Sequence, residues 1–272
     1  MLFLFPIAEG ASLQWESVEP APYALDIAVC GDGKVFMLTP TGTGKSVSFS
    51  MPGTSGFTPS RPVNSDVREI SCARYPDSPN HNALMAWTQV GRNQFTYGGG
   101  GGIGTVSESY TSPMVYVHQY WSGPDFVSWP SGEGRYVGPS GLSTIKALSP
   151  TAVVTVTPDR YLHQRPLTSI SSMYGVSATG DVYGAMEVAA TQSPSGPVAL
   201  AVNDDRSIWF KHSQTDWNTF EYLFDGYDTY SLMMSAGLSD LEMAPRGDGS
   251  YSVVALSSVF GQKYIFRGQL NP

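Results

Sequence analysis

A unit of about 43 residues recurs along the chain, and no other feature constrains its fold so tightly. In its clearest copy an apolar run, VALAV at 198 to 202, meets the turn Asn203-Asp204-Asp205. A second strand, SIWFKH at 207 to 212, follows, then Trp217, the run FEYLF at 220 to 224 and the exit Asp225-Gly226. Alternating apolar runs bounded by Gly, Asp, Asn and Pro read as short antiparallel strands joined by tight turns. The same plan fits LDIAV, Gly31-Asp32-Gly33 and KVFML, then REISCAR, the turn around Pro79-Asn80 and ALMAW. It recurs in MVYVHQY with Ser122-Gly123-Pro124-Asp125 and FVSW, and in AVVTV with Pro158-Asp159 and RYLHQ. The last copy is LEMAP, Gly247-Asp248-Gly249 and SYSVVAL.

The first turns fall near residues 32, 80, 124, 159, 204 and 248, a spacing typical of four-stranded propeller blades. A four-stranded sheet of this size cannot bury both faces alone. Stacking sheets radially buries each against its neighbours, and closing the ring hides their edges. The pattern therefore predicts one all-β domain over residues 1–272, a β-propeller of six blades. A five-bladed ring and a two-sheet sandwich are the competing arrangements. The C-terminal repeat shows only three strands, which leaves LFLF or SLQWE near the N-terminus to complete the last blade and close the ring.

Composition agrees with strands and turns. Only 14% of residues are charged, against about 25% in an average soluble domain. Gly (29) and Pro (20) interrupt every stretch long enough for a helical bundle. The net charge of −8 withholds the basic surface on which nucleic-acid affinity depends, so no nucleic-acid partner is expected. No apolar run is long enough for a transmembrane helix, so no membrane insertion is expected. Residues 1 to 9, MLFLFPIAE, lack a basic start and are broken by Pro6, so no cleaved leader is expected. The compartment stays open between cytoplasm, non-classical secretion and a virion.

Several motifs reduce to turns. Thr41-Gly42-Thr43-Gly44-Lys45-Ser46 ends like a phosphate-binding loop, but Thr39 stands where its first glycine belongs and no helical pattern follows. Gly99, Gly101 and Gly104 sit in or beside the glycine run 98 to 102 and read as an inter-blade loop. Arg246-Gly247-Asp248 lies on a predicted Gly-Asp-Gly turn. Cys30 and Cys72 end the first strand of adjacent copies and are expected as separate buried thiols. His81, His118, His163 and His212 lie near strand boundaries, with no carboxylate at a shared spacing, so neither a metal nor another cofactor is expected.

At 198 to 226 the chain resembles one blade of the propeller lectins of the tachylectin-2 and PLL/PVL-like kind. The matching residues are the acidic turn Asn203-Asp204-Asp205, Ile208-Trp209, His212, Trp217, Leu223 and Gly226. The resemblance implies a carbohydrate-binding protein without enzymatic activity. Its sites would be shallow and lie between blades or on a rim. Sugar recognition needs an aromatic face beside planar polar groups, and Trp209, Asp216, Trp217, Asn218 and Glu221 supply that mixture, with Trp121 a further candidate. Trp87, Trp121 and Trp129 mark the second and third copies, while the fourth and sixth have no Trp, so identical sites are not expected. The expected partners are glycans or glycoproteins.

Two other functions suit the same ring. Low charge and Gly-rich loops fit an assembly component, such as part of a virion or appendage, docking to other subunits or to further copies of itself. A glycan-processing hydrolase would need two carboxylates about 5–9.5 Å apart at the axis. Asp26, Asp32, Glu69, Asp204 and Glu242 are candidates for such a pair, although nothing in the sequence selects one. The chain lacks the Ser-x-Asp-x-Gly-x-Thr-Trp box of sialidase propellers and any Gly-x-Ser-x-Gly elbow.

Overall fold

The computed structural model describes residues 10–31, 33–54, 56–57, 61–63, 67–74, 81–96, 107–121, 134–136, 144–149, 152–156, 161–166, 180–181, 185–217, 219–224 and 229–272. Strand β1 (Ser12–Pro20) comes first. One sheet then holds β2 (Asp26–Val29), β3 (Val35–Thr41), β4 (Gly44–Ser50) and β5 (Arg61–Val63). A second holds β6 (Val67–Arg74), β7 (His81–Thr96), β8 (Ser107–Trp121) and β9 (Gly134–Tyr136). The third holds β10 (Thr144–Ser149), β11 (Ala152–Val156), β12 (Tyr161–Pro166) and β13 (Gly180–Asp181). The fourth holds β14 (Ala185–Ser193), β15 (Gly196–Asn203), β16 (Ile208–Lys211) and β17 (Glu221–Phe224). A short helix, α1 (Thr229–Ser235), leads to β18 (Leu238–Pro245), β19 (Tyr251–Val259) and β20 (Gln262–Asn271).

The fifth sheet is completed by β1, which pairs antiparallel with β20 from Ser12↔Asn271 to Pro20↔Tyr264. This is the N-terminal strand that the three-stranded C-terminal repeat requires. Gly268 makes the pairing possible, because a Cβ there would lie 2.7 Å from the Gln14 carbonyl oxygen. Arg267 locks it by donating to Glu19 and, at 3.0 Å, to Ser50 of the first sheet.

Among the described residues the strands thus form five four-stranded sheets, where the turn spacing predicts six. Two displacements explain the difference. MVYVHQY lies in β8, the third strand of the second sheet, so the long β7–β8 hairpin merges two expected units into one sheet. AVVTV and VALAV are second strands, β11 and β15, so the turns near 159 and 204 are second turns rather than first ones.

The first strands of the sheets pack in a cycle: β2 on β6, β6 on β10, β10 on β14, β14 on β18, and β18 on β2. Apolar residues fill the gaps between sheets. Phe36, Leu38, Val47 and Ile70 pack between the first and second, and Leu200, Phe210, Val253 and Phe266 between the fourth and fifth. Ile27, Val35, Leu256 and Ile265 do the same between the fifth and first.

The cycle corrects one expectation directly. Cys30 and Cys72 are joined in a disulfide, with their Cα atoms 5.2 Å apart and both residues buried. Separate thiols were expected on the assumption that adjacent units keep the cysteines out of reach. Because β2 lies directly against β6, the end of one strand meets the side of the other.

Candidate functional site

The first strand of every sheet is an edge strand, so some of its N–H groups have no partner within the sheet. A carboxylate from the neighbouring first strand fills that need in three places. Asp240 on β18 accepts the Ile27 N–H at 3.1 Å, Asp26 on β2 accepts that of Ile70 at 2.5 Å, and Glu69 on β6 accepts that of Ile145 at 3.2 Å. Each acceptor is followed by an aliphatic residue that enters the core: Asp26-Ile27, Glu69-Ile70 and Asp240-Leu241, with Glu187-Val188 at the matching place on β14. The acid–aliphatic pair at the start of a first strand is therefore a repeat signal carried by the sequence itself.

Three of these carboxylates, together with Glu242, surround one cation. Lys146 on β10 has no solvent exposure, and its ammonium pairs with Asp240. Glu69 and Glu242 lie 3.3 Å from the same nitrogen and Glu187 lies 3.8 Å away. Burial alone would lower the lysine pKa, but the four carboxylates outweigh it and hold the group well above its ordinary value. The acids are raised in turn. Burial, reinforced by Asp240 and Glu69, lifts Asp26 well above the usual range. Burial likewise raises Glu69 and Glu242 against the pull of Lys146, and pushes Glu187 to about 8. A glutamic acid that keeps its proton near neutral pH has the protonation state a general acid needs. The side chains of Glu187 and Glu69 are 13% and 10% exposed, against 3% and 1% for Asp240 and Glu242, so these two are the least buried acids around Lys146.

Three of the five sequence candidates for axial acids, Asp26, Glu69 and Glu242, converge here. Asp204 lies on the exposed β15–β16 turn, and Asp32 is outside the described residues. Sequence reasoning missed Lys146, Glu187 and Asp240. Among the described residues no group of three or more His, Cys, Asp or Glu side chains could hold a metal ion.

The residues proposed for sugar contact scatter. Trp217 is 7% exposed and packs between the third and fourth sheets. Its N–H donates to Gln164 Oε1 at 3.1 Å, and the Lys211 ammonium lies 4.9 Å from its ring. Trp209 is half-buried on β16, donates to Ser207 Oγ at 2.7 Å and meets Tyr222 edge to face. Asp216 is exposed and accepts from Thr219 Oγ1 at 2.9 Å. Trp121 ends β8 opposite His81, and Asn218 is outside the described residues. Glu221 is exposed and bonded to His212.

Through His212, Glu221 touches a cavity of about 530 Å³ between the fourth and fifth sheets. Phe210 forms part of its floor, edge-on to His212 at 4.6 Å and tilted 6.3 Å from Tyr251. Ser193, Ser213 and Arg246 supply polar groups around these rings. Burial raises the Tyr251 hydroxyl pKa against the opposing effect of its hydrogen bond to Ser193. Gly196 lets the β14–β15 turn approach Ser213, which lines the cavity: its φ is +138°, and a Cβ there would lie 2.5 Å from the Ser213 carbonyl oxygen.

The chain matches no protein-family model and no curated protein sequence. Among solved structures it is similar to a Trypanosoma rangeli sialidase in complex with 2,3-difluoro-KDN, with a TM-score of 0.43 and 8% identity over 91% of this chain. The chain spans about half of that sialidase, 53% of its length. The expectation of a protein without enzymatic activity is corrected at this point: the similar solved structure is that of an enzyme. Among the described residues no helix is long and apolar enough to cross a membrane.

Proposed function

We propose that the chain is a five-bladed β-propeller that engages a glycan in the cavity between its fourth and fifth blades. The cyclic packing of five first strands and the closure of the last sheet by β1 support the propeller. The observation that carries the glycan is the lining of the cavity. His212, backed by the buried rings of Phe210 and Tyr251, offers aromatic surface to the apolar side of a sugar ring, with Ser193, Ser213 and Arg246 placed for its hydroxyls. A volume of about 530 Å³ suits a small ligand. Binding to a glycan array, competed by free sugar, tests the reading. His212→Ala should weaken that binding about tenfold or more while leaving the unfolding transition in place. Array silence, or binding indifferent to His212→Ala, overturns this site.

The axial cluster favours a second activity on the same class of ligand, glycan hydrolysis, with the protonated Glu187 as acid and a neighbouring carboxylate as its partner. Release of reducing ends from glycans by the wild type, abolished in Glu187→Gln, is the expected result. The absence of turnover across a glycan panel overturns it.

A further inference from the structure

A second cavity, of about 320 Å³, lies between the fifth sheet and the first. Glu16, Ser252 and Arg267 line one wall, with Gly33 and Pro52 opposite. It holds the same place in its gap as the Phe210 cavity holds in the preceding one. Each is walled by the third strand of one sheet, β16 or β20, and by the first turn of the next, β18–β19 or β2–β3. Their chemistry differs: His212 over buried rings marks the first, and Arg267 with Glu16 marks the second.

Arg246 and Gly247 line both cavities. Arg246 is anchored, donating from Nε to Ser252 Oγ at 2.9 Å and from Nη1 to Gln269. The turn that separates the cavities faces solvent at Gly247 and Gly249. A Cβ built on Gly247 or Gly249 meets no atom within 4 Å. Asp248 is folded back, accepting from the Ser250 N–H at 3.0 Å and from its hydroxyl at 2.6 Å.

We propose that the two cavities are subsites of one cleft for an oligosaccharide that crosses this turn at Gly247. One sugar unit lies over His212 and another against Arg267 and Glu16. The inference rests on the glycan reading above and extends it from a sugar to a chain of sugars. Planar Arg and Glu groups pair with ring hydroxyls, and joining two modest subsites raises affinity through effective concentration.

Gly247 has no positive φ and open space around it, so a large side chain fits there without backbone strain and stands between the two cavities that the residue lines. The test measures binding of glucose, galactose and N-acetylglucosamine series, from monosaccharide to hexasaccharide. The wild type should gain about tenfold or more in affinity with length. Gly247→Tyr should lose that gain, binding the hexasaccharide no more tightly than the monosaccharide, and Glu16→Ala should reduce the gain. An unchanged length dependence in Gly247→Tyr, or an equal loss at every length, overturns the single cleft. Failure of the wild type to bind any length overturns the glycan reading, and this inference with it.

Discussion

The Asp26 carboxylate accepts the backbone N–H of Ile70 at 2.5 Å, a bond between the first strands of two different sheets. It satisfies an edge-strand donor that has no partner within its own sheet. Asp26→Ala should therefore cost about 1–3 kcal/mol in urea unfolding, because it strands that donor in a buried site. Asp26→Asn keeps an acceptor and should cost much less. Equal losses in the two variants would refute the capping role.

Lys146 is fully buried among Asp240, Glu69, Glu242 and Glu187. Lys146→Met should destabilise by about 3–5 kcal/mol near neutral pH, since the acids lose their buried counter-charge. The deficit should shrink on acidification as those acids take up protons. Unfolding curves recorded from pH 5 to about 8 would show whether the gap narrows.

The pH dependence of the wild type follows from the raised acids. Glu187 moves from the ordinary 4.5 to about 8 in the folded chain. Between those values the native state holds a proton that the unfolded state has released, so stability falls as pH rises, by up to about 1.4 kcal/mol per pH unit for each such proton. Stability should be highest at the acid end of this window and level off above it. Glu187→Gln should flatten the slope, and a slope unchanged in that variant would assign it to other groups.

The Cys30–Cys72 bond ties two first strands across a sequence separation of 42 residues. Its replacement by two alanines should lower stability by about 2–4 kcal/mol. Reductant should have no further effect on that variant in urea titration.

Strand positions were legible because apolar alternation and Gly-Asp turns are local signals. Their phase was not, because first and second turns are chemically alike: Asn203-Asp204-Asp205 on the second turn of one sheet looks like Gly247-Asp248-Gly249 on the first turn of another. The acid–aliphatic starts Asp26-Ile27, Glu69-Ile70, Glu187-Val188 and Asp240-Leu241 would have set the phase, since three of these acids cap a donor on the neighbouring first strand. The axial site was half visible, through Asp26, Glu69 and Glu242. Lys146 escaped notice because a lone lysine in an apolar strand signals burial only once four carboxylates are known to face it. Trp217 illustrates the converse: polar neighbours in sequence, Asp216 among them, did not prevent its ring from turning into the core.

The clasp between β1 and β20 also orders events in time. Glu19 and its partner Arg267 are 248 residues apart, so β1 leaves the ribosome long before the strand that will hold it. During synthesis the other four sheets can form from neighbouring segments while β1 waits with its edge uncovered. The last sheet, and with it the cycle, therefore forms only once β20 has emerged, in a slow long-range step. Until then the nascent chain offers a free strand edge for chaperones to shield.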